Sequence, residues 1–304
     1  MKTRLLLGTR GSPLALAQTN EVIESLKNVA PSMRFEVVPI KTKGDKLHDT
    51  GITVEGKSIF TKEIEESLAK AEIDVAIHSM KDLVVELPPG LVIAAVPKRV
   101  NPRDALISRN KRKLNDLPGG ARVGTSSPRR KAQLLAARGD LEILDARGNI
   151  GTRLVKLKDG EYDAVVLAAA GLIRLGLERE VTEFISTSVM LPAVGQGALA
   201  IEAKETDEQT IGLLSKIDDK PSHMAIEAER AFARKLGADC KKPIAAYAKL
   251  ESGKLSIEGM VAAPTGKMLV RGRIIFDSPD AKEAGEALAE DMLSKGAASV
   301  LEAS

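Results

Sequence analysis

The sequence predicts two α/β halves that are built alike, followed by a smaller domain of α+β type. An apolar run, Gly-Thr, Ser-Pro and a helical pattern follow one another twice, from Leu5 to Pro13 and from Val123 to Pro128. The run Ile73-Asp-Val-Ala-Ile is echoed in the second half by Tyr162-Asp-Ala-Val-Val-Leu. A repeated order of this kind is typical of two similar α/β units, and we expect a ligand between them.

The elements of the first half follow from its apolar runs and its turn residues. Leu5 to Leu7 is a predicted strand, and Ser12, as the N-cap before Pro13, begins a predicted helix that reaches Lys27. The other predicted elements of this half are strands at 35–40 and 91–96 and a helix at 61–70.

Residues 41–58 are polar, rich in Gly and Lys, and without a sustained apolar period. We expect a long loop here, and such loops inside compact domains are typically lids or binding loops. Within it, Gly51 to Ser58 fits the phosphate-binding pattern G-x-x-x-x-G-K-[ST]. A P-loop follows directly from a buried strand, whereas mostly polar residues precede Gly51. The context therefore argues against a P-loop, and a nucleotide-binding enzyme is kept as an alternative.

A short apolar strand from Ile73 to Ile77 ends in four polar groups, His78, Ser79, Lys81 and Asp82. Ligands of open α/β sheets bind at the carboxyl ends of the strands. Asp82 and Lys81 also place an acidic and a basic side chain next to each other at this strand end. This strand end is therefore the first candidate site, and the alternative is a strand end that merely faces water.

The second half and the final domain contribute further predicted elements. Leu191 to Gly197 is rich in Gly and Pro, which is typical of a hinge, and it runs into a strand at 198–203. Beyond Pro221, neighbouring strands with short turns predict an antiparallel sheet with helices on one face. The predicted strands are 105–108, 141–144, 244–250, 255–261 and 268–276, and the predicted helices are 222–236 and a closing one from about 280.

Composition excludes several classes of protein. The 304 residues carry a net charge of +3 and only 2% aromatic side chains, without Trp, which argues against a general nucleic-acid binder. The apolar run at the amino terminus lasts three residues before Arg10, so we expect no signal peptide and no membrane span. One cysteine and three scattered histidines predict no internal disulfide, no metal cluster and a cytoplasmic location.

Both Ser-Pro helix starts are candidate anion sites, because free N–H groups and the positive end of the helix dipole lie there. Arg10 stands beside the first start, and Arg129 and Arg130 lie in the first turn of the second. Cations in a first turn oppose the dipole, which favours an anionic ligand over a purely structural role. Arg147, Arg153 and Arg174 follow predicted strand ends, and arginine suits bidentate recognition of carboxylate or phosphate. A non-catalytic anion-binding module is thus a further alternative.

The single thiol, Cys240, lies in a short polar loop between a predicted helix and a predicted strand. A lone cysteine is usually a small buried apolar residue. Asp239, Lys241 and Lys242 flank this one, which favours an accessible thiol that can form a thiolate. A covalent attachment role is therefore an open alternative to a structural one.

Together these motifs closely resemble the porphobilinogen deaminase family, also called hydroxymethylbilane synthases, from about Leu5 to nearly the carboxyl terminus. Because so many motifs occur in order, the resemblance is specific. The matching motifs are Gly8-Thr-Arg-Gly-Ser-Pro-Leu-Ala, Gly44-Asp45, Gly56-Lys57, His78-Ser-Met-Lys-Asp82, Pro102-Arg-Asp-Ala, Gly124-Thr-Ser-Ser-x-Arg-Arg130, Arg147-Gly-Asn-Ile-Gly-Thr-Arg153, Leu191-Pro-Ala-Val-Gly-Gln-Gly-Ala and Glu227-x-Glu-Arg230.

The resemblance implies a transferase of tetrapyrrole and haem biosynthesis. It would join four molecules of porphobilinogen, releasing ammonia from each, to give the linear tetrapyrrole hydroxymethylbilane. The chain would grow on a dipyrromethane cofactor held by a thioether, which here can only involve Cys240. The family expectation is a cytoplasmic monomer whose partner is the small-molecule substrate, with neither nucleic acid nor membrane.

The resemblance also implies roles for site residues. Asp82 would be the catalytic carboxylate, which delivers a proton to the leaving amine, stabilises the resulting cation and accepts the proton lost on coupling. His78 is expected to be structural. Cofactor-binding residues would be Cys240, Lys81, Ser79, Thr125, Ser127, Arg129, Arg130, Arg147 and Gly148. Substrate-binding residues would be Arg10, Ser12, Lys57, Arg147, Arg153, Arg174 and Gln196, and no metal is expected.

The implied fold has two similar α/β domains like type II periplasmic binding proteins, plus a carboxyl-terminal α+β domain with a three-stranded antiparallel sheet. The expected domains are 1–98 with 197–217, then 103–191, then 221–304. Two positions depart from the family pattern. Asp239 replaces the glycine often found before the attachment cysteine, and Ser58 replaces the second glycine of the lid motif.

Overall fold

A computed structural model of the chain describes residues 2–45, 57–237, 242–277 and 280–302. The strands are β1 (Arg4–Arg10), β2 (Arg34–Ile40), β3 (Val75–Ser79), β4 (Leu91–Ala95), β5 (Asp104–Ser108), β6 (Arg122–Gly124), β7 (Glu142–Leu144), β8 (Ala164–Ala168), β9 (Glu183–Phe184), β10 (Leu199–Lys204), β11 (Ile244–Glu251), β12 (Lys254–Ala262) and β13 (Leu269–Phe276).

The helices alternate with these strands over most of the chain. They are α1 (Pro13–Val29), α2 (Lys62–Ala69), α3 (Pro128–Ala137), α4 (Ile150–Lys158), α5 (Ala169–Arg174), α6 (Glu208–Leu214), α7 (Lys220–Lys235), α8 (Ala281–Ser294) and α9 (Ala297–Glu302). In the part of the chain that the structure describes, no helix is both long enough and apolar enough to cross a membrane.

The first five-stranded sheet has the order β2-β1-β3-β10-β4. Strand β1 is parallel to β2 and β3, whereas β10 is antiparallel to β3 and β4. Its core contains Leu5 and Leu7 of β1, Val75 and Ile77 of β3, and Ile201 of β10. Within β1 and within β3 the two core residues are two positions apart, because alternate residues of a strand face the same side of the sheet. Strand β10 joins this sheet although more than 100 residues separate it from β4.

The second five-stranded sheet has the order β7-β6-β8-β5-β9. Strand β6 is parallel to β7 and β8, whereas β5 is antiparallel to β8 and β9. The order and directions match those of the first sheet, with β6 in the position of β1 and β8 in the position of β3. The repeated sequence patterns therefore mark equivalent strands, and the prediction of two similar α/β halves is confirmed.

The third sheet is antiparallel throughout, in the order β11-β12-β13. Phe232 of α7 and Leu288 of α8 both lie against Gly259 of β12, where a Cβ atom would come within 2.5 Å of the Phe232 ring. Glycine at this position lets two helices pack on one face of the sheet. The expected three-stranded antiparallel sheet, and with it the α+β class of this region, is confirmed.

The chain forms two compact units. One comprises residues 1–100 and 198–226, and the other comprises residues 101–197 and 227–304, with the antiparallel sheet in the second. The division into three domains with the boundaries expected from sequence stays a prediction.

Three short elements were not expected from the sequence. Strand β9 has only two residues, and α5 and α6 have six and seven. Helix α5 follows β8 directly, inside the alanine run at 168–170. Short apolar runs do not distinguish strand from helix by periodicity, so packing decides.

Candidate functional site

The candidate strand end in the first unit is assembled as expected. Strand β3 ends at Ser79, and the chain turns through a short 3₁₀ segment, Met80–Asp82. Nε2 of Gln18, on α1, donates a hydrogen bond to Oγ of Ser79 at 2.7 Å. A pocket lies here, lined by Arg10, Ser12, Leu14, Ala15, Gln18, Phe60, Thr61, Ile77, His78, Ser79 and Asp82. The structure thus places four predicted residues, Arg10, Ser12, Ser79 and Asp82, around one pocket.

Ser12 is the N-cap of α1, where its Oγ accepts a hydrogen bond from the backbone N–H of Ala15 at 3.3 Å. Pro13 follows at the first helical position, which suits proline because no N–H is needed there. The remaining N–H groups of the first turn are close to the pocket. This start of α1 therefore provides the anion-binding geometry that the Ser-Pro motif predicted.

Arg10 already has an anionic partner in the first unit. Its Nη2 donates to Oδ1 of Asp45 at 2.5 Å, and its guanidinium lies 4.3 Å from the centre of the Phe60 ring. Burial raises the pKa of Asp45, but the hydrogen bonds and charge of Arg10, with hydrogen bonds from Thr42, outweigh burial and lower that pKa overall. Asp45 is thus ionised at neutral pH and is the anionic partner of Arg10 in this structure.

Two predicted residues are described only in part or not at all. Lys57 begins a 3₁₀ segment that ends at Phe60, and its side chain lies outside the described part of the structure. Cys240 and its neighbours at 238–241 also lie outside the described residues, as does most of the expected lid, 46–56. Lys81 lies within the described residues and interacts with at least one other group.

In the second unit, the turn between β6 and α3 repeats the geometry of the first helix start. Ser127 is the N-cap of α3 and accepts a hydrogen bond from the N–H of Arg130 at 3.4 Å. The buried Thr125 accepts a hydrogen bond from the N–H of Ser127 at 3.2 Å. These bonds fix Thr125 and Ser127, and the start of α3 has the same Ser-Pro cap geometry as the start of α1.

Arg129 and Arg130 are buried and both contact Asp104, which is itself fully buried. Nη1 of Arg129 lies 2.8 Å from Oδ2 of Asp104, and Nε of Arg130 lies 2.9 Å from Oδ1. Burial alone would raise the pKa of Asp104, but the charges of Arg129 and Arg130 lower it to about 2. The anion that these guanidiniums face in the described residues is therefore a carboxylate of the chain itself. Their expected role in cofactor binding stays a prediction.

Asp104 was missed as a site residue by sequence reasoning, although it stands in the quoted motif Pro102-Arg-Asp-Ala. No short-range sequence pattern links Asp104 to Arg129 and Arg130, which are 25 and 26 residues further along the chain. Gln196 joins the same cluster, with its Nε2 donating to the backbone oxygen of Pro102 at 2.7 Å and to Oδ1 of Asp104 at 3.1 Å. Gln196 is buried, so these contacts fix the hinge-like segment that carries it.

The segment before α4 holds two further predicted residues. Nε of Arg147 donates to Asp145 at 2.5 Å, and both side chains are about half exposed. Gly148 has a φ of 105°, a conformation that favours glycine, and Asn149 then caps α4 through the N–H of Thr152 at 2.9 Å. This turn fixes the direction in which α4 and Arg153 leave it.

Arg153 combines burial with an unused donor. Among the residues that the structure describes, none accepts a hydrogen bond from its buried Nε. Burial and repulsion from Arg130 lower the pKa of Arg153 to about 10, against the attraction of Asp145 and Tyr162. Arg174, the last residue of α5, donates instead to the backbone oxygen of Gly197 at 3.3 Å. Arg153 is thus a cation whose surroundings favour an added anion.

The donors of the second unit fit a ligand with several carboxylates. Thr125, Ser127 and the start of α3 supply hydroxyl and N–H groups, and Arg147 and Arg153 supply guanidinium groups. Arginine binds carboxylate through two parallel hydrogen bonds, and such charge-assisted bonds are stronger than neutral ones. A dipyrromethane carries carboxylate side chains, and the unused Nε of Arg153 is a donor that suits one of them.

Known proteins match this chain over nearly its full length. Residues 5–212 match the family model described as porphobilinogen deaminase, dipyromethane cofactor binding domain, and residues 223–294 match its C-terminal domain. The porphobilinogen deaminase of Brevibacillus brevis is 49% identical over 97% of this chain and 96% of the relative. That of Thermus thermophilus is 49% identical over 98% of both, and that of Bacillus subtilis 46% over 99% and 96%.

Partial matches among solved structures are far more distant. The periplasmic aliphatic sulphonate binding protein SsuA from Escherichia coli is 14% identical with a TM-score of 0.41, over 77% of this chain and 70% of that one. The methionine binding protein MetQ is 15% identical with a TM-score of 0.43, over 71% and 88%.

The fold is that of an α/β protein with two similar mixed sheets and a third, antiparallel sheet, and polar side chains line a pocket at the carboxyl end of one strand. The family models and relatives cover almost all of its length, and the chain belongs to the porphobilinogen deaminase family. It is a transferase of tetrapyrrole and haem biosynthesis, which joins four porphobilinogen molecules to hydroxymethylbilane with release of ammonia, on a dipyrromethane cofactor. A non-catalytic anion-binding module is therefore the wrong alternative.

Proposed function

We propose that Asp82 is the catalytic carboxylate of the porphobilinogen reaction and that arginines of the second unit hold the carboxylates of cofactor and growing chain. The observation that carries the second part is the buried Nε of Arg153, which lacks an acceptor among the described residues. A partly buried guanidinium with a pKa lowered to about 10 gains most from an incoming anion.

The position of Asp82 supports this proposal. It lines one pocket together with Arg10, Ser12 and Ser79, at the carboxyl end of a buried strand. As an acid it delivers a proton to the leaving amine, and as an anion it stabilises the positive charge that develops when ammonia departs. After carbon–carbon bond formation the same carboxylate accepts the proton that the pyrrole loses. Ser79, held by Gln18, and the start of α1 orient substrate carboxylates in this pocket.

The cofactor is proposed to be attached through a thioether to Cys240, which is the one cysteine of the sequence. When bound, dipyrromethane supplies a nucleophilic pyrrole carbon at which the chain is extended. Thr125, Ser127, Arg147 and Gly148 are proposed to hold its carboxylates, with Lys81, Ser79, Arg129 and Arg130 as further cofactor-binding residues. Substrate binding is assigned to Arg10, Ser12, Lys57, Arg147, Arg153, Arg174 and Gln196.

We further propose a cytoplasmic monomer that acts without nucleic acid or membrane. A net charge of +3 and 2% aromatic residues support the absence of a nucleic-acid partner, because such binding needs many cationic and stacking contacts. A single cysteine suits a reducing compartment.

The P-loop alternative concerns residues 51–58, of which 51–56 lie outside the described part of the structure.

Intact-mass spectrometry of the purified protein tests the cofactor proposal. The wild-type chain should carry a covalent adduct of two pyrrole units, and Cys240→Ser should lack it. An adduct that persists in Cys240→Ser would overturn the attachment site. For catalysis, cofactor-loaded Asp82→Asn should lose about 100-fold or more of its turnover, as expected for loss of a general acid–base group. Turnover close to wild type in that variant would refute the assignment of Asp82.

A further inference from the structure

A buried group of titratable side chains lies behind the pocket of Asp82. His78, Glu65 and Glu202 are each at most 5% exposed, and they come from β3, α2 and β10. Nε2 of His78 lies 3.2 Å from Oε2 of Glu202. The strand register explains the contact, because Ala200 pairs with His78 and Glu202 with Ala76, which places both side chains on one face.

The hydrogen-bonding capacity of this group is largely unused. Within the described part of the chain, no well-directed partner is present for Nε2 of His78, either carboxylate oxygen of Glu202 or Oε1 of Glu65. Buried polar atoms usually have partners, and those that lack one call for a functional or solvent explanation. A buried ion pair is also a weak source of stability, because apolar residues of similar volume often replace one without loss.

Charge balance fixes how many protons the pair can hold. With one proton, His78 and Glu202 are neutral overall, whether the proton is on the ring or on the carboxyl. Removal of that proton leaves an uncompensated buried carboxylate, and addition of a second leaves an uncompensated buried imidazolium, both of which are unfavourable. The pKa of Glu65 is raised, mainly by burial and to a smaller extent by the negative charge of Glu202. A positive charge on His78 acts in the opposite direction. A change of charge on His78 or Glu202 therefore acts on Glu65 as well.

His78 is the member that connects this unit to the pocket. His78 is among the residues that line the same pocket as Asp82 and Arg10, whereas Glu65 and Glu202 are not. The titratable or charged groups that face His78 are Glu202 on β10 and Glu65 on α2, and Arg10 on β1 and Asp82 after β3 line the pocket that His78 also lines. Asp82 thus shares a pocket with one member of a pair whose proton can move between two atoms.

We propose that His78 and Glu202 are a proton-holding pair that acts through Asp82 and sets the pH range of turnover. The inference rests on the proposed role of Asp82. In each cycle the departing ammonia takes one proton and the coupled pyrrole carbon gives up one, so the enzyme returns to its starting protonation state. The pair keeps its single proton throughout the cycle. With the proton on the His78 ring it stabilises ionised Asp82, and with the proton on Glu202 the ring is neutral, which favours protonated Asp82.

Spectroscopy of the holoenzyme tests the coupling without relying on activity. The chain has three histidines, His48, His78 and His223, so imidazole ¹⁵N signals are few, and His48→Gln and His223→Gln assign them. We expect Asp82→Asn to change the ¹⁵N signals of the His78 ring relative to the wild-type holoenzyme at the same pH, because the variant removes a charge from the shared pocket. An unchanged His78 signal in Asp82→Asn would overturn the proposal.

Kinetics provides the second test, with Glu202→Gln as the variant and Glu205→Gln as its control. Glu205 is exposed and lies at the end of β10, so the control makes the same charge change outside the buried group. We expect Glu202→Gln to lower kcat roughly 10- to 100-fold, less than loss of a direct acid–base group, with KM nearly unchanged and the kcat–pH profile displaced. Glu205→Gln should retain the wild-type profile.

A purely structural role predicts a different pattern. Glu202→Gln would then lose stability and keep the wild-type kcat–pH profile, which would refute the proposal. If Glu202→Gln does not fold, the kcat–pH profile of His78→Asn and the spectra of the Asp82→Asn holoenzyme distinguish the structural role from the proposed one. High activity in Asp82→Asn would defeat the proposed catalytic role itself, whereas an inactive Asp82→Asn combined with a normal profile in Glu202→Gln would defeat only the proton-holding pair.

Discussion

Asp104 and Arg130 form a buried ion pair in which both Nε and Nη2 of the arginine lie within 2.9 Å of Oδ1. Arg129 binds the other carboxylate oxygen and also the backbone oxygen of Leu191. Two arginines from the first turn of α3 thus share one carboxylate from the start of β5. This arrangement answers the question of why cations occupy a helix start, where the dipole alone disfavours them.

Removal of the shared carboxylate should be strongly destabilising. Asp104→Asn leaves two buried guanidiniums without their counter-charge, and breaking a buried pair in this way costs about 3 to 5 kcal/mol. Denaturant unfolding at neutral pH measures the loss. Asp116→Asn, at an exposed position of the same unit, is the matched control and should change stability by less than about 0.5 kcal/mol. A loss of similar size in both variants would contradict the central role of Asp104.

The same carboxylate predicts a pH dependence of stability. Its pKa is about 2 in the folded protein and about 3.9 in an unfolded chain, so the folded state favours the ionised form. This contributes about 2 kcal/mol that is fully present above pH ~4 and is lost as the pH falls towards 2. The stability difference between wild type and Asp104→Asn should therefore narrow between pH 5 and pH 3 in denaturant unfolding. A difference that stays constant over this interval would count against the assignment.

Arg153→Gln should separate ligand binding from folding. The variant removes a partly buried cation that has no acceptor for its Nε among the described residues, so the stability of the folded chain should hardly change. Binding of carboxylates should weaken, and kcat/KM should fall about 10- to 100-fold, as expected for loss of hydrogen bonds to charged groups.

Steady-state kinetics and denaturant unfolding of the same Arg153→Gln preparation measure both effects. Lys158→Gln, at the exposed end of α4, is the control and should match wild type in both. A strong loss of stability with unaltered kcat/KM would assign Arg153 to the scaffold instead.

Asp45→Asn should improve substrate affinity. Asp45 occupies Arg10 in this structure, and its lowered pKa keeps it ionised at neutral pH. If substrate carboxylates use Arg10, removal of this competitor should lower KM about two- to fivefold, the scale of a partly exposed ion pair. Steady-state kinetics at low and high salt measures the change, which should shrink as salt screens the charges. Glu36→Gln, an exposed partner of Arg4, is the control, and a raised KM in Asp45→Asn would disprove the competition.

Much of the candidate site was predictable from short-range patterns. Ser12 and Ser127 cap their helices as expected, because an N-cap depends on residues within one turn of each other. The polar end of β3 was predictable because a buried apolar strand that breaks into polar residues marks a sheet edge. The partners of these residues were not: Gln18 on Ser79, Asp45 on Arg10 and Asp104 on Arg130 are 26 to 61 residues away.

By itself, the sequence determined the repeated α/β plan, the capped helix starts and the polar strand end that carries Asp82, because these depend on local periodicity and local hydrogen bonds. The tertiary structure decided which carboxylate each arginine meets and which acid lies beside His78. Those pairings form only when distant strands align, as β10 does when it joins the first sheet between β3 and β4 and brings Glu202 to His78. Burial then makes each pairing strong, since charges removed from water must find a partner within the fold.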